Sequence, residues 1–289
     1  MFGLITSGMM GNRCLLEPVR VWSMVRLTDC GSRYSCGEGV SYIIPMARAK
    51  EGGPLAVDHE VAESAVSGVS RLRRVLVESP GSLGARARAK RWALVQTLFP
   101  DIRDMRVLDL GGTVEAWQRA PIKPAHVTVV NLFEPGETNE PWLLPVMGDA
   151  CAASEVLAAG SHGDSFDLVF SNSLIEHVGG HAKRVALAVE VRALAPYHWV
   201  QTPYRYFPVE PHWLFPMMQF LPVRARASIA RSWPLAHSRP ATMAEAQSNV
   251  QWTELVSITE MRAYFPNSQV VHERVAGLVK SITAVHSPG

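Results

Sequence analysis

From about residue 101 onward the chain alternates short apolar runs with stretches whose apolar positions recur at helical spacing. The runs are RVLDL (106–110), HVTVVNL (126–132), LLPVMGDA (143–150), SFDLVFSNS (165–173) and YHWVQTP (197–203). Each is short, apolar and closed by polar or turn-forming residues, so each predicts a buried strand. Helical material falls between most of them, most clearly over 181–194. Strands joined by helical crossovers form a mostly parallel sheet covered on both faces. The segment SQVVHERVAGLVKSITAVH (268–286) predicts two further strands turning at Ala276 and Gly277, an antiparallel pair at the end of the sheet.

The first hundred residues read differently. Residues 1 to about 50 mix Gly, Cys and Ser with isolated apolar positions and hold no period, so a poorly ordered extension is expected there. A helix is predicted from Val57 to about Val77, on Val61, Ala65, Val69, Leu72 and Leu76. SPGSLG breaks it, and a second helix follows from Ala85 to Phe99. Residues 51–100 are thus expected as a helical cap before a domain over 101–289. Between Arg71 and Arg91 lie seven basic residues and one acid, which suits a solvated helix face or an anionic partner.

Composition adds bounds. With 47% hydrophobic residues in 289, a sizeable core can form. A formal net charge of +2 gives no reason to expect a nucleic-acid partner. No apolar run has the length of a membrane span, and no secretion signal is evident. Cys14, Cys30, Cys36 and Cys151 fit no zinc spacing and read as free thiols. A soluble, cytoplasmic protein is the expectation.

In a parallel sheet, ligands bind beyond the carboxyl ends of the strands. The first strand ends in Asp109, Gly111 and Gly112, the second in Asn131 and Leu132 with Glu134 beyond, the third in Gly-Asp-Ala with Asp149 and Ala150, the fourth in SNSLIEHVGGH. Glycines permit a tight turn and close approach of a ligand to the backbone. Asn131 can donate and accept, Asp149 can accept from an amine, and Ala150 offers a backbone N–H. A dinucleotide fingerprint is absent, since Gly111 and Gly112 are adjacent, no glycine follows them in the turn, and no acid stands at position 131.

VLDLGGT, VTVVNL, GDA and FDLVFSNSLIEHV, in this order and spacing, together resemble the class I S-adenosylmethionine (SAM)-dependent methyltransferases of the methyltransferase type 11-like group, over about 99–285. The resemblance implies a Rossmann-like, doubly wound α/β fold. Its mostly parallel seven-stranded sheet would have a terminal antiparallel strand and a lid inserted after strand five, about 203–250. It implies SAM as cofactor, with Asp109, Gly111, Gly112 and Thr113 at the methionine part, Asn131 and Leu132 at the ribose, Asp149 and Ala150 at the adenine, and Asn172 near the methyl group. Two departures stand out: Thr113 and Val114 occupy the place of the usual third glycine, and Asn131 that of the usual ribose acid, unless Glu134 substitutes for it.

Methyl transfer asks a protein to align a nucleophile and, where needed, to take its proton. Glu176 and His177 follow the fourth strand, and His177 is the candidate base. His177 and His181 would share a helix face, but Gly179 and Gly180 between them disfavour helix, so no metal is expected. QTPYRYFPVEPHWLFPMMQFLP (201–222) crowds prolines with aromatics and predicts a stiff acceptor-side lid, with Tyr204, Arg205 and Glu210 as substrate-binding candidates and His212 as a further catalytic one. From Pro211 to Ala244 there is no acid, and apolar residues precede Arg224, Arg226, Arg231 and Arg239. That order suits a lid helix with a solvated basic side, or a small-molecule or lipid-like acceptor and a peripheral membrane contact through 213–231. The alternative function is a non-catalytic binding or scaffolding protein of the same fold, its glycine loop closed by side chains.

Overall fold

The computed structural model describes residues 35–36, 40–41, 82–160, 165–236 and 240–288. The helix expected over 57–77, and nearly all of the extension expected over 1–50, lie outside the described residues. The chain divides into two compact units, Met1–Ala56 and Val57–Gly289. In the first, Ser35–Cys36 pairs antiparallel with Val40–Ser41.

The second unit is built on seven strands: β1 Arg106–Leu110, β2 His126–Asn131, β3 Leu143–Met147, β4 Leu168–Asn172, β5 Tyr197–Pro203, β6 Gln269–Val275 and β7 Leu278–His286. Their order across the sheet is β6-β7-β5-β4-β1-β2-β3. The five strands from β5 to β3 are parallel neighbours, and β7 runs antiparallel to both β5 and β6. The order reverses between β1 and β4, so their carboxyl ends frame the crevice where such sheets take ligands. This is the doubly wound fold with an antiparallel terminal strand that the strand pattern predicts.

Successive side chains of each strand enter different cores, as the two-residue strand period requires. Val107, Val127, Val129, Leu168, Phe170 and Trp199 face one core. It is closed by α1 (Leu83–Leu98) and α2 (Val114–Gln118), through Trp92, Val95, Phe99 and Trp117. Trp92 stacks on Phe170, and Phe170 on Trp199, with centroids 5.7 and 6.2 Å apart. Leu108, Leu110, Val130, Val169, Val200 and Ile282 face the other core. That one is covered by α3 (Ala153–Gly160), α4 (Gly180–Leu194) and α7 (Ile258–Tyr264).

Between β5 and α7 lies the lid. It comprises a short ribbon (Val209–Glu210 with Phe215–Pro216), a 3-10 turn at Met218–Phe220, α5 (Val223–Ser232) and α6 (Met243–Gln251). It has its own core of Trp213, Met218, Ala227, Ala230, Ala246 and Val250. Among the described residues, no helix is long and apolar enough to cross a membrane.

Ala276 and Gly277 join β6 to β7, with φ of 50° and 83°. Both values are positive, as a two-residue hairpin turn matching the strand twist demands, and alanine adopts such a φ only against steric resistance. Ala276→Asn is therefore expected to raise stability by about 1 kcal/mol in urea unfolding, since asparagine tolerates the left-handed region. A loss of stability would mean that this turn is not of that type.

Candidate functional site

The carboxyl edge of the sheet begins with the loop after β1. Gly111 has φ +85°, and a Cβ there would meet Leu174 Cδ1 at 2.7 Å. A Cβ on Gly112 would lie 1.6 Å from Asp109 Oδ2. Both glycines are thus required by the chain's own packing. Asp109 is buried beneath the loop, and Trp117 Nε1 donates to its Oδ2 at 2.6 Å. Burial pushes the Asp109 carboxyl up to about 7, against the opposing effect of the Trp117 hydrogen bond. Thr113 caps α2, its hydroxyl accepting from the Ala116 N–H at 3.2 Å.

Asn131, at the end of β2, donates from Nδ2 to the carbonyls of Gly111 (3.2 Å) and Gly112 (2.7 Å), and its Oδ1 accepts from the Phe133 N–H at 3.1 Å. Its amide braces the glycine loop, and Leu132 follows it, half-buried. After β3, Asp149 accepts from the Cys151 N–H at 2.8 Å and pairs with Lys183 at 2.9 Å. Burial works against the Asp149 charge, but that N–H and Lys183 outweigh it and hold the carboxyl below its usual range. Ala150 is buried beside it. Asn172, at the end of β4, accepts from Trp199 Nε1 at 3.3 Å. Gly111, Gly112, Asn131, Asp149 and Asn172 all keep part of their surface exposed. Val114 and Trp117 are buried in the core shared with α1.

The residues after β4 form a tight turn: Ser173 has φ 54°, and the His177 N–H bonds to Leu174 O at 2.7 Å. The turn buries Glu176 fully, with Thr202 Oγ1 of β5 donating to Oε2 at 2.9 Å. Burial raises the Glu176 carboxyl above its usual range. His177 stands at the turn's end, and the lid brings His212 to it with the two Nε2 atoms 3.2 Å apart. Burial, then the neighbouring His212, lowers the His177 imidazole to about 4, so it is neutral at neutral pH. Glu210 supports His212, accepting from Nδ1 at 2.7 Å, and its other oxygen accepts from the Trp213 N–H at 2.8 Å.

The structure therefore brings together Glu176, His177, Glu210 and His212 from two segments. It does not bring His181 to them: His181 Nδ1 lies 3.0 Å from Tyr264 Oη. Arg205 is bonded to Leu255 O at 2.7 Å and Glu260 at 3.0 Å, so it fastens the lid to α7. Tyr204 bridges to Val256 and packs edge-on to Tyr206. Sequence reasoning did not assign Leu174, Lys183 or Thr202 to the site. Leu174 and Thr202 carried a signal, lying inside the SNSLIEHV and QTPYRYFP runs, and Lys183 carried none.

No family model and no curated protein matches the chain. Solved structures similar to it include the 1,6-didemethyltoxoflavin-N1-methyltransferase of Burkholderia thailandensis, at 18% identity, covering 83% of this chain and 95% of that one, with a TM-score of 0.42. The magnesium protoporphyrin IX methyltransferase of Synechocystis PCC 6803 is similar at 11% identity, covering 80% and 100%, with a TM-score of 0.40. The N-methyltransferase NodS of Bradyrhizobium japonicum WM9 is similar at 9% identity, covering 71% and 98%, with a TM-score of 0.40.

Proposed function

We propose that the chain is a SAM-dependent methyltransferase acting on an oxygen or nitrogen of a small-molecule or lipid-like acceptor. One observation carries this reading. The part-exposed groups Gly111, Gly112, Asn131, Asp149 and Asn172 lie along the carboxyl ends of β1 to β4, and Leu174, which touches Gly111, is three residues from the base candidate His177. The donor set fits the cofactor: Asp149 can accept from the adenine amine, and the loop backbone and Asn172 are polar groups for the amino-acid end. When bound, SAM supplies a methyl group made electrophilic by its sulfonium.

The chain's own residues do the rest. The Nε2 atoms of His177 and His212, 3.2 Å apart, are the groups assigned to take the proton of an acceptor's O–H or N–H. A neutral imidazole suffices, because the attacking atom becomes strongly acidic as its bond to carbon forms. Glu210 sets the His212 tautomer by holding a proton at Nδ1. Tyr206, Met217 and Phe220 give the lid an exposed apolar side, with Arg224 and Arg231 exposed further along it, which suits an amphiphilic acceptor.

Titration calorimetry with SAM and S-adenosylhomocysteine tests the reading. Micromolar binding of one equivalent is expected, weakened about tenfold or more by Asp149→Ala. No heat from either ligand, with folded protein, would sink it. It would then favour the non-catalytic reading, which draws on Leu174 packed over Gly111 and on Asn131 already engaged by the loop carbonyls.

A further inference from the structure

Two imidazole nitrogens and one carboxylate oxygen, from Glu176, His177 and His212, converge beside β4. His212 Nδ1 lies 2.7 Å from Glu210 Oε1, which places a proton on Nδ1 and a lone pair on Nε2. His177 Nδ1 lies 3.4 Å from the Trp252 carbonyl. The Thr253 hydroxyl lies 3.5 Å from the same nitrogen. When Nδ1 donates to the carbonyl, which only accepts, the His177 lone pair is on Nε2. The two Nε2 atoms are nevertheless 3.2 Å apart. With the proton on Nδ1 of both rings, two lone pairs face each other at that distance, an arrangement that a cation bound to both stabilises. The third atom is Glu176 Oε1, which is buried, accepts no hydrogen bond, and lies 4.0 Å from His177 Nε2.

We infer that Glu176, His177 and His212 form a binding site for a divalent transition-metal ion of the zinc class, with one coordination position left open. The three ligand atoms lie within 4.8 Å of one another. Two nitrogens bound to a tetrahedral zinc at about 2.05 Å stand about 3.3 Å apart, close to the separation found. The carboxylate oxygen closes the remaining gap by a small side-chain rotation. Two imidazoles and a carboxylate favour zinc, cobalt or iron over magnesium or calcium, which prefer all-oxygen shells. The support behind the ligands is also that of a metal site. Glu210 orients His212 through Nδ1, the Trp252 carbonyl orients His177, and Thr202 holds the far oxygen of Glu176. His177 and His212 keep 23% and 27% of their side-chain surface exposed, so an ion can enter and a small ligand can reach the open position.

Glu176 and His177 belong to the sheet domain and His212 to the lid, so the ion would pin one to the other. Metal binding itself needs nothing from the glycine loop. Its part in catalysis rests on the methyl-transfer reading above: with both Nε2 lone pairs on the ion the imidazoles no longer act as the base, and the ion would instead lower the pKa of an acceptor hydroxyl at the open position, whose proton leaves to solvent.

The test uses the full chain, stripped with a chelator and titrated with Zn²⁺ alone. One equivalent is expected at micromolar affinity or tighter, with a raised Tm. Co²⁺ should give the visible absorption of a tetrahedral site, and Mg²⁺ should give no binding. His177→Ala and His212→Ala should each weaken Zn²⁺ at least 100-fold, and His286→Ala, an exposed histidine elsewhere, should leave it unchanged. Glu210→Gln keeps all three ligands and should weaken binding 10- to 100-fold. It serves as the independent arm should an alanine variant fail to fold, with circular dichroism reporting the fold of each. The inference is overturned if folded wild-type protein shows no saturable Zn²⁺ binding, or if binding survives in both His177→Ala and His212→Ala. SAM calorimetry on the same stripped protein separates the two proposals. Zn²⁺ binding without SAM binding keeps the metal site and removes the methyl-transfer reading, and the converse does the reverse.

Discussion

Gly112→Ala should lower stability by about 3–5 kcal/mol, enough to unfold a marginal domain. The new Cβ would fall 1.6 Å from Asp109 Oδ2 and 2.5 Å from its Cγ. That carboxyl has little freedom to move, since it is 3% exposed and anchored by Trp117 Nε1 at 2.6 Å. Gly111→Ala should cost less: its φ of +85° is strained for alanine, but the obstacle includes the flexible end of Leu174, at 2.7 Å. Gly179→Ala should cost only about 1 kcal/mol, because its φ is also +85° but nothing lies within 4 Å of the added atom. Urea unfolding of the three variants should rank them in that order. Asp109→Ala in the Gly112→Ala background should recover part of the loss, a coupling that only direct contact produces. Equal stability of the Gly112 and Gly179 variants would show that Asp109 does not fill the space beneath the loop.

The same pair shows what a sequence hides. Adjacent glycines after a strand read as room for a ligand, because that is one thing glycine provides. Their neighbours here are Asp109 and Leu174, and nothing local in the sequence says where those side chains go. Asn131 is a similar case. At the end of a second strand its amide reads as a ribose contact, yet it donates to two backbone carbonyls, and backbone acceptors carry no residue signature. The strands were far more legible, since short runs closed by polar or turn-forming residues mark buried strands, and RVLDL and YHWVQTP coincide with β1 and β5 end to end. The lid helices were only partly legible: a helix with a basic side was expected there, but not its bounds. In α5 the buried positions are alanines, Ala227 and Ala230, among arginines, so no broad apolar stripe marks where the helix begins and ends. His177 and His212 were each visible as candidates. Their meeting across 35 residues depends on the turn after β4 and the lid ribbon, which no spacing rule encodes.

Asp109→Asn should change how stability depends on pH. The folded-state carboxyl titrates at about 7 against an ordinary value of 3.8. Between those values the folded chain binds the proton more tightly than the unfolded chain does. This group's contribution to stability is therefore greatest at and below pH 3.8, falls as pH rises, and levels off above about 7. The slope is about 1.4 kcal/mol per pH unit, on the order of 4 kcal/mol across the window. His198 acts in the opposite sense. Burial, with His286 and Arg192, lowers it from 6.5 to about 4, so its contribution is lost as pH falls through that range. The two slopes oppose each other between about pH 4 and 6.5, and the wild-type profile alone cannot assign either. The difference between Asp109→Asn and wild type removes His198, which both share. Asparagine still accepts from Trp117 Nε1, and its amide costs a similar amount at every pH, so that cost cancels when two pH values are compared. Relative to wild type, Asp109→Asn should gain on the order of 4 kcal/mol between pH 4 and pH 8 in urea unfolding. A difference that stays constant across that range would mean that Asp109 remains ionised beneath the loop, its charge held by groups other than Trp117.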